Sequence, residues 1–302
     1  MPNTDGQGAA VAPAQESGKR NGGNTGGSSS SQSNAARSIF PTVVIFLIVL
    51  GVVYVGMWAG FRATTSWLWT LALLTVLFLY LGWLLSGRPL GILVNTRNLM
   101  SLSRFQLVAW SLVIISAFLT IAFQRIGVSG IADPLQIPMD PHLWALLGIS
   151  TASLIGTPLI LQNKAGQKAD DGQIKAAAAT LGENEQDIKD NSDGKLYANP
   201  RIEDARVTDM FQGDEIGNTA YVDISKVQMF LFTVIIIVAY CYQIYAMLWP
   251  HGLAKTDPNY VGADKLVMPV LSASVIALLG ISHAGYLGSK TADHTPTTPP
   301  TS

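Results

Sequence analysis

The sequence predicts an all-α integral membrane protein with six transmembrane helices, in which helices 3–4 and 5–6 form a parallel internal duplication. Three observations predict it. Charged residues fill only 13 % of the 302 positions, against about 25 % in a typical soluble domain. Six apolar segments, at about 40–61, 66–86, 105–125, 141–161, 227–249 and 267–288, reach the roughly 20 residues that a helix needs to cross a bilayer. Two strings also recur. Ala145-Leu146-Leu147-Gly148-Ile149-Ser150 returns 132 residues on as Ala277-Leu278-Leu279-Gly280-Ile281-Ser282. Ser103-Arg104-Phe105-Gln106 is echoed 122 residues on by Ser225-Lys226-Val227-Gln228. A longer connecting loop in the second unit reconciles the two offsets.

Residues 1–38 are rich in glycine, serine, asparagine and glutamine. They bury too little apolar surface to fold and read as a disordered tail. Residues 39–87 form a transmembrane hairpin, helices 1 and 2. The first helix is too long, and its polar leader too extended, for a signal peptide. Its Gly56-x-x-x-Gly60 is a weak helix-packing signal.

Residues 88–161 hold a loop and repeat A, helices 3 and 4. Ser103 and Gln106 have the spacing of a capping box, in which the serine hydroxyl and the glutamine side chain satisfy each other's end of the helix. Arg104 in the same first turn is placed to reach lipid headgroups. Along helix 4, Gly148, Ala152 and Gly156 recur every fourth residue on one face, which lets helices approach closely.

Residues 162–224 form an acidic loop. Counted to Lys226, it carries eight basic and thirteen acidic residues. A short helix at Gln173–Leu181, stopped by Gly182, is expected there, then a turn-rich stretch at Glu183–Gly194. Asp190-Asn191-Ser192-Asp193-Gly194 invites a calcium reading. It fails because an EF-hand frame places Lys189 at the first ligand position and Pro200 at the last. Met210, Phe211, Ile216, Tyr221 and Val222 are placed to hold the loop against the membrane surface.

Residues 225–289 form repeat B, helices 5 and 6. Ser225, Lys226 and Gln228 repeat the cap and anchor pattern. Gly280, Ala284 and Gly288 repeat the stripe. His283, where repeat A has Thr151, is the one ionisable side chain well inside a span and the candidate functional residue. A partner such as Tyr286, a backbone carbonyl or interfacial water accounts for it structurally. Residues 290–302, with Thr295-Pro296 and Pro299-Pro300, read as a second disordered tail.

Lysine and arginine set orientation. They gather in the N-terminal tail, the loop after helix 2 and the loop after helix 4. Both termini and residues 162–224 are therefore expected in the cytoplasm. Trp58, Trp67, Trp69 and Trp249 mark the outer interface and Trp83 the inner one. The lack of Asn-x-Ser/Thr sequons fits a bacterial inner membrane.

These features predict a non-enzymatic membrane protein, an oligomeric pore or a scaffold, whose partners are the lipid bilayer, a second copy of the chain and a cytoplasmic protein docked on residues 162–224. No phosphate loop, dinucleotide fingerprint or zinc-spaced histidine pair is present, so no cofactor is expected. The net charge of −1 and the lack of a basic patch argue against nucleic acid. The lone Cys241 excludes an internal disulfide. An ion-coupled transporter is the first alternative, weakened by the absence of carboxylates inside the spans. An intramembrane serine hydrolase is the second. Six spans with Gly148-Ile149-Ser150 and His283 resemble the rhomboid protease layout. The resemblance departs at Thr151, where that family has glycine, and in the glycine spacing after His283.

Overall fold

The computed structural model of the chain describes residues 27–58, 62–128 and 131–295. Among them every regular element is helical: α1 (Gly27–Met57), α2 (Ala63–Ser86), α3 (Leu102–Ile126), α4 (Pro141–Ala165), α5 (Asp171–Leu181), α6 (Glu185–Asn191), α7 (Ile224–His251) and α8 (Ala273–Thr291). Short 3-10 turns cover Pro89–Leu93, Ile202–Asp204, Val207–Phe211 and Ala263–Lys265. The chain divides into two units, Met1–Val43 and Val44–Ser302. In the first, α1 begins at Gly27, inside the stretch assigned to the N-terminal tail. Residues 1–26 lie outside the described residues.

Among the described residues five helices are long and apolar enough to cross a membrane: Ile39–Met57, Ala63–Ser86, Leu102–Ile126, Pro141–Ala165 and Ile224–His251. The sixth span expected at 267–288 is not among them; the helix there, α8, begins only at Ala273. Ser272 caps α8 by accepting from Val275 N–H, and the helix runs on to Thr291. Its serines, His283 and Lys290 leave it short of the hydropathy that qualifies the five.

In the second unit α3, α4, α7 and α8 pack as a bundle, with α2 against α3 and α7. Trp110, Ile121, Leu143, Leu146, Tyr240, Ile244 and Leu248 fill its core. Trp67 belongs to that core rather than to the outer interface. It is 3 % exposed and its indole N–H donates to Ser116 Oγ at 3.1 Å. Trp58, Trp69, Trp83 and Trp249 are exposed, as interface residues should be. Ser116 and Thr120 turn back to their own helix, donating to Val113 O and Ser116 O, which is how buried helical hydroxyls satisfy themselves. Gly56 faces the Phe123 ring, with no room there for a Cβ. Its counterpart Gly60 lies outside the described residues.

The loop between α4 and α7 folds into a subdomain. The helix expected at Gln173–Leu181 is α5, capped by Asp170 and closed by Gly182 at φ 72°. The stretch read as turns holds α6, capped by Asn184. Ile174, Ala177, Ala178, Ile188, Tyr197 and Ile216 form a small core of their own. Met210 packs with Met100, Leu102, Met229 and Tyr286 at the root of the bundle. Of the residues expected at the membrane surface, Tyr221 and Val222 are exposed, whereas Met210 and Ile216 are buried inside the protein.

Candidate functional site

The starts of α3 and α7 and the ends of α4 and α8 converge on this subdomain, and a buried charge cluster ties them together. Asp214 is at its centre. Its carboxylate meets Arg97 Nη2 at 2.8 Å, Lys226 Nζ at 3.2 Å and Lys290 Nζ. Arg97 also donates from Nη1 to the carbonyls of Tyr197 and Asp214, each at 3.0 Å. Lys290 sits 3.5 Å from Asp223 and over the Tyr286 ring. Burial alone would raise the Asp214 carboxyl, but Lys226, Lys290 and Arg97 outweigh it and hold it well below the usual carboxylate range.

Two further pairs flank the cluster. Lys164, near the end of α4, meets Glu215 at 2.6 Å. Glu215 Oε2 accepts from His294 N–H at 2.9 Å. Lys195, fully buried, meets Asp293 at 2.7 Å. Gly217 N–H donates to Thr295 Oγ1 at 2.9 Å. Residues 290–295 are therefore docked rather than part of a disordered tail, because the subdomain supplies the partners for their charges. Residues 296–302 lie outside the described residues.

The capping boxes are corrected in both repeats. Ser101 caps α3, accepting from Arg104 N–H, and Asp223 caps α7, accepting from Ser225 and Lys226 N–H. Each cap lies two residues before the predicted serine, because an acceptor is already available there. Ser103 and Gln106 are freed for the interior. Ser103 Oγ donates to Tyr286 Oη at 3.4 Å, and Gln106 Nε2 donates to Thr233 Oγ1 at 2.5 Å. Ser225 Oγ lies 3.0 Å from Ser289 Oγ, and Gln228 is exposed. Lys226 does not reach for lipid; it is buried against Asp214 and donates to Gln212 O. Arg104 stays half-buried at the rim, donating to Val94 O at 2.7 Å.

The two small-residue stripes lie beside the α4–α8 seam rather than in it. Gly148, Ala152, Ala284 and Gly288 are exposed, with open space at both glycines. A Cβ at Gly156 would meet the Leu287 side chain and one at Gly280 the Ile149 side chain, each at ordinary contact distance. The seam is built from the adjacent face. Ser153 Oγ lies 2.5 Å from His283 Nδ1. Thr157 Oγ1 lies 2.8 Å from Ser153 O and 3.2 Å from Tyr286 Oη. His283 thus has a serine partner, and it is Ser153 rather than Ser150. Both side chains are buried, His283 at 4 % exposure and Ser153 at 0 %. Ser282 Oγ and Gln106 Oε1 are buried with no hydrogen-bond partner among the described residues.

A cavity of about 470 Å³ opens where α3 begins and α4 ends. Its walls combine the Asn95–Arg104 segment, the last turns of α4 and the Asp193–Leu196 turn. Neither the charge cluster nor the cavity has a local sequence signature, since each draws on segments about 100 residues apart.

Comparison with protein-family models, with characterised proteins and with solved structures finds no match to this chain.

Proposed function

We propose that this chain is a non-enzymatic, multi-pass membrane scaffold that presents residues 162–224 to a cytoplasmic partner. The observation that carries this reading is the Asp214 cluster. Three cations from the segment before α3, from α7 and from α8 converge on one subdomain carboxylate. A subdomain held this way is a rigid platform rather than a tethered loop.

In this reading α8 is the sixth span, and both termini share the cytoplasmic side with the subdomain of a bacterial inner membrane. The convergence of two helix starts and two helix ends on one subdomain supports an even number of crossings between them. The caps support the duplication. Ser101 and Asp223 differ by the same 122 residues as the first repeated string, and Asp140 and Ser272 by the same 132 as the second. The exposed stripes are the faces on which a homo-oligomer would close.

A photo-crosslinking residue at Lys175 or Glu203, both exposed, is expected to give a discrete protein adduct in native membranes. Reconstituted liposomes are expected to show no ion flux above empty vesicles. Flux without an adduct would favour the pore or the coupled transporter.

The serine hydrolase alternative draws on one observation, the Ser153–His283 pair. A fluorophosphonate probe that labels Ser153 in the folded protein would favour it. We expect no labelling, because Ser153 is fully buried and does not line the cavity.

A further inference from the structure

We propose that the cavity between α3, α4 and the Asp193 turn binds one phospholipid with an ethanolamine headgroup. The inference rests on α3 and α4 spanning the membrane, and not on the scaffold reading. Four features of the cavity lead to it.

The first is its place. One wall is the second half of α4, and another is the loop before α3 with the first turn of that helix. It therefore straddles the boundary between acyl chains and headgroups. The second is its polarity. Leu154, Pro158, Leu159 and Leu161 supply an apolar wall on the α4 side. Leu159 is 62 % exposed, so this wall is continuous with the lipid-facing surface. A chain of methylenes fits it and a water-soluble ligand does not.

The third is charge. Arg97 lines the cavity, but three of its five N–H donors are committed to the Asp214 carboxylate and to the carbonyls of Tyr197 and Asp214. Arg104 also lines it, and among the described residues only one of its side-chain donors has a partner, Val94 O. A guanidinium has five N–H donors, so several remain for a phosphate. Asp193 lies on the same cavity, is exposed, and has no cationic partner among the described residues. The cavity thus offers one available cation and one available carboxylate. That pattern complements a zwitterion and is mismatched to a purely anionic headgroup.

The fourth is a free acceptor. Pro158 lies inside α4 and has no N–H, so the Leu154 carbonyl lacks its helical donor. Both residues line the cavity. In a membrane such a carbonyl needs a partner. That carbonyl lies up the apolar wall, about 16 Å from the end of α4, within reach of the lipid's glycerol region rather than its headgroup. At the headgroup a primary ammonium donates hydrogen bonds to Asp193, whereas the quaternary ammonium of choline has no N–H to give. This selects ethanolamine over choline.

The test is native mass spectrometry of the delipidated full chain, titrated with phosphatidylethanolamine, phosphatidylcholine and phosphatidylglycerol of one acyl composition. We expect one ethanolamine lipid to bind about ten-fold more tightly than either other lipid, the size of one hydrogen bond to a charged group. Arg104→Gln should lower binding of the ethanolamine and choline lipids alike, since both share the phosphate. Asp193→Asn, at an exposed position, should remove only the preference for ethanolamine. Leu154→Phe should fill the cavity and lower binding of all three, and unchanged melting of each variant keeps the comparison fair. Soluble glycerophosphoethanolamine should not compete at lipid-saturating concentrations.

Equal binding of the three lipids with no effect of Asp193→Asn would overturn the proposal. So would tighter binding of phosphatidylglycerol, or competition by the soluble headgroup. All of these outcomes leave the crosslinking and flux tests of the scaffold reading unaffected.

Discussion

A single carboxylate decides how this protein is held together. Asp214 is the shared partner of Arg97, Lys226 and Lys290. Removing one partner from a buried ionic cluster leaves the others uncompensated, which typically costs about 3–5 kcal/mol. Asp214→Asn is therefore expected to lower the melting temperature more than any exposed acidic substitution in the subdomain, such as Asp190→Asn. The sign of the pH dependence follows from its depressed folded-state pKa. Such a group contributes stability fully above its unfolded value of about 3.9, and loses it as pH falls through the folded value. The gap between parent and Asn variant should close in strong acid. It should also narrow as pH rises, because the buried Lys226 and Lys290, left without their shared carboxylate, can release protons. A gap that persists unchanged in strong acid would exclude Asp214 as its source. Ser153→Ala should cost about 1–3 kcal/mol, because it leaves a buried imidazole nitrogen without its partner. His283→Thr should leave liposome flux unchanged over roughly pH 5–8, the range in which histidine titrates. A pH-dependent flux lost in that variant would turn the scaffold into a channel.

At the scale of elements, close approaches matter more than the stripes suggest. Gly194 has φ 61°, and a Cβ there would run into the backbone carbonyl of Ala165 at the end of α4. Gly182 has φ 72° but open space around it. Ala at either position bears the left-handed penalty of about 1–2 kcal/mol. Only Gly194→Ala adds a clash with α4, so it should destabilise the protein more in urea or heat. Gly148→Leu should melt like the parent, since nothing lies within reach of its Cβ. A change in oligomer mass without a change in melting would assign the stripe to a subunit contact. The stripe misleads because four-residue spacing states that residues share a helix face, and not which face is covered. On α4 the covered face runs through Leu146, Ser150, Ser153, Leu161 and Lys164, one step around from Gly148 and Ala152.

At the scale of the molecule, the end of α8 acts as a strap on the subdomain. Lys290, Asp293, His294 and Thr295 all bond to residues between Lys195 and Glu215 or to Gly217. Truncation after Ser289 should leave the bundle helical by circular dichroism while speeding tryptic cleavage at Lys175 and Lys189. Unchanged cleavage would show that the strap holds nothing. A reporter fused at Asp193 should be active only on the cytoplasmic side, and periplasmic activity would remove the six-span topology.

By itself the sequence determined the apolar helices, the α5 helix with its Gly182 stop, and the candidacy of His283. These properties are local: hydropathy over some twenty residues, a left-handed cap, one ionisable side chain in an apolar run. Tertiary structure alone decided that Ser153 rather than Ser150 meets His283, that Lys226 serves Asp214 rather than lipid, and that Ser101 and Asp223 cap their helices. It also decided that Lys290 belongs to the core and not to a tail. Each of these depends on a partner brought near by folding, and the free energy of a buried charge or hydroxyl is set by that partner. A sequence window shows the charge and not the group that will neutralise it.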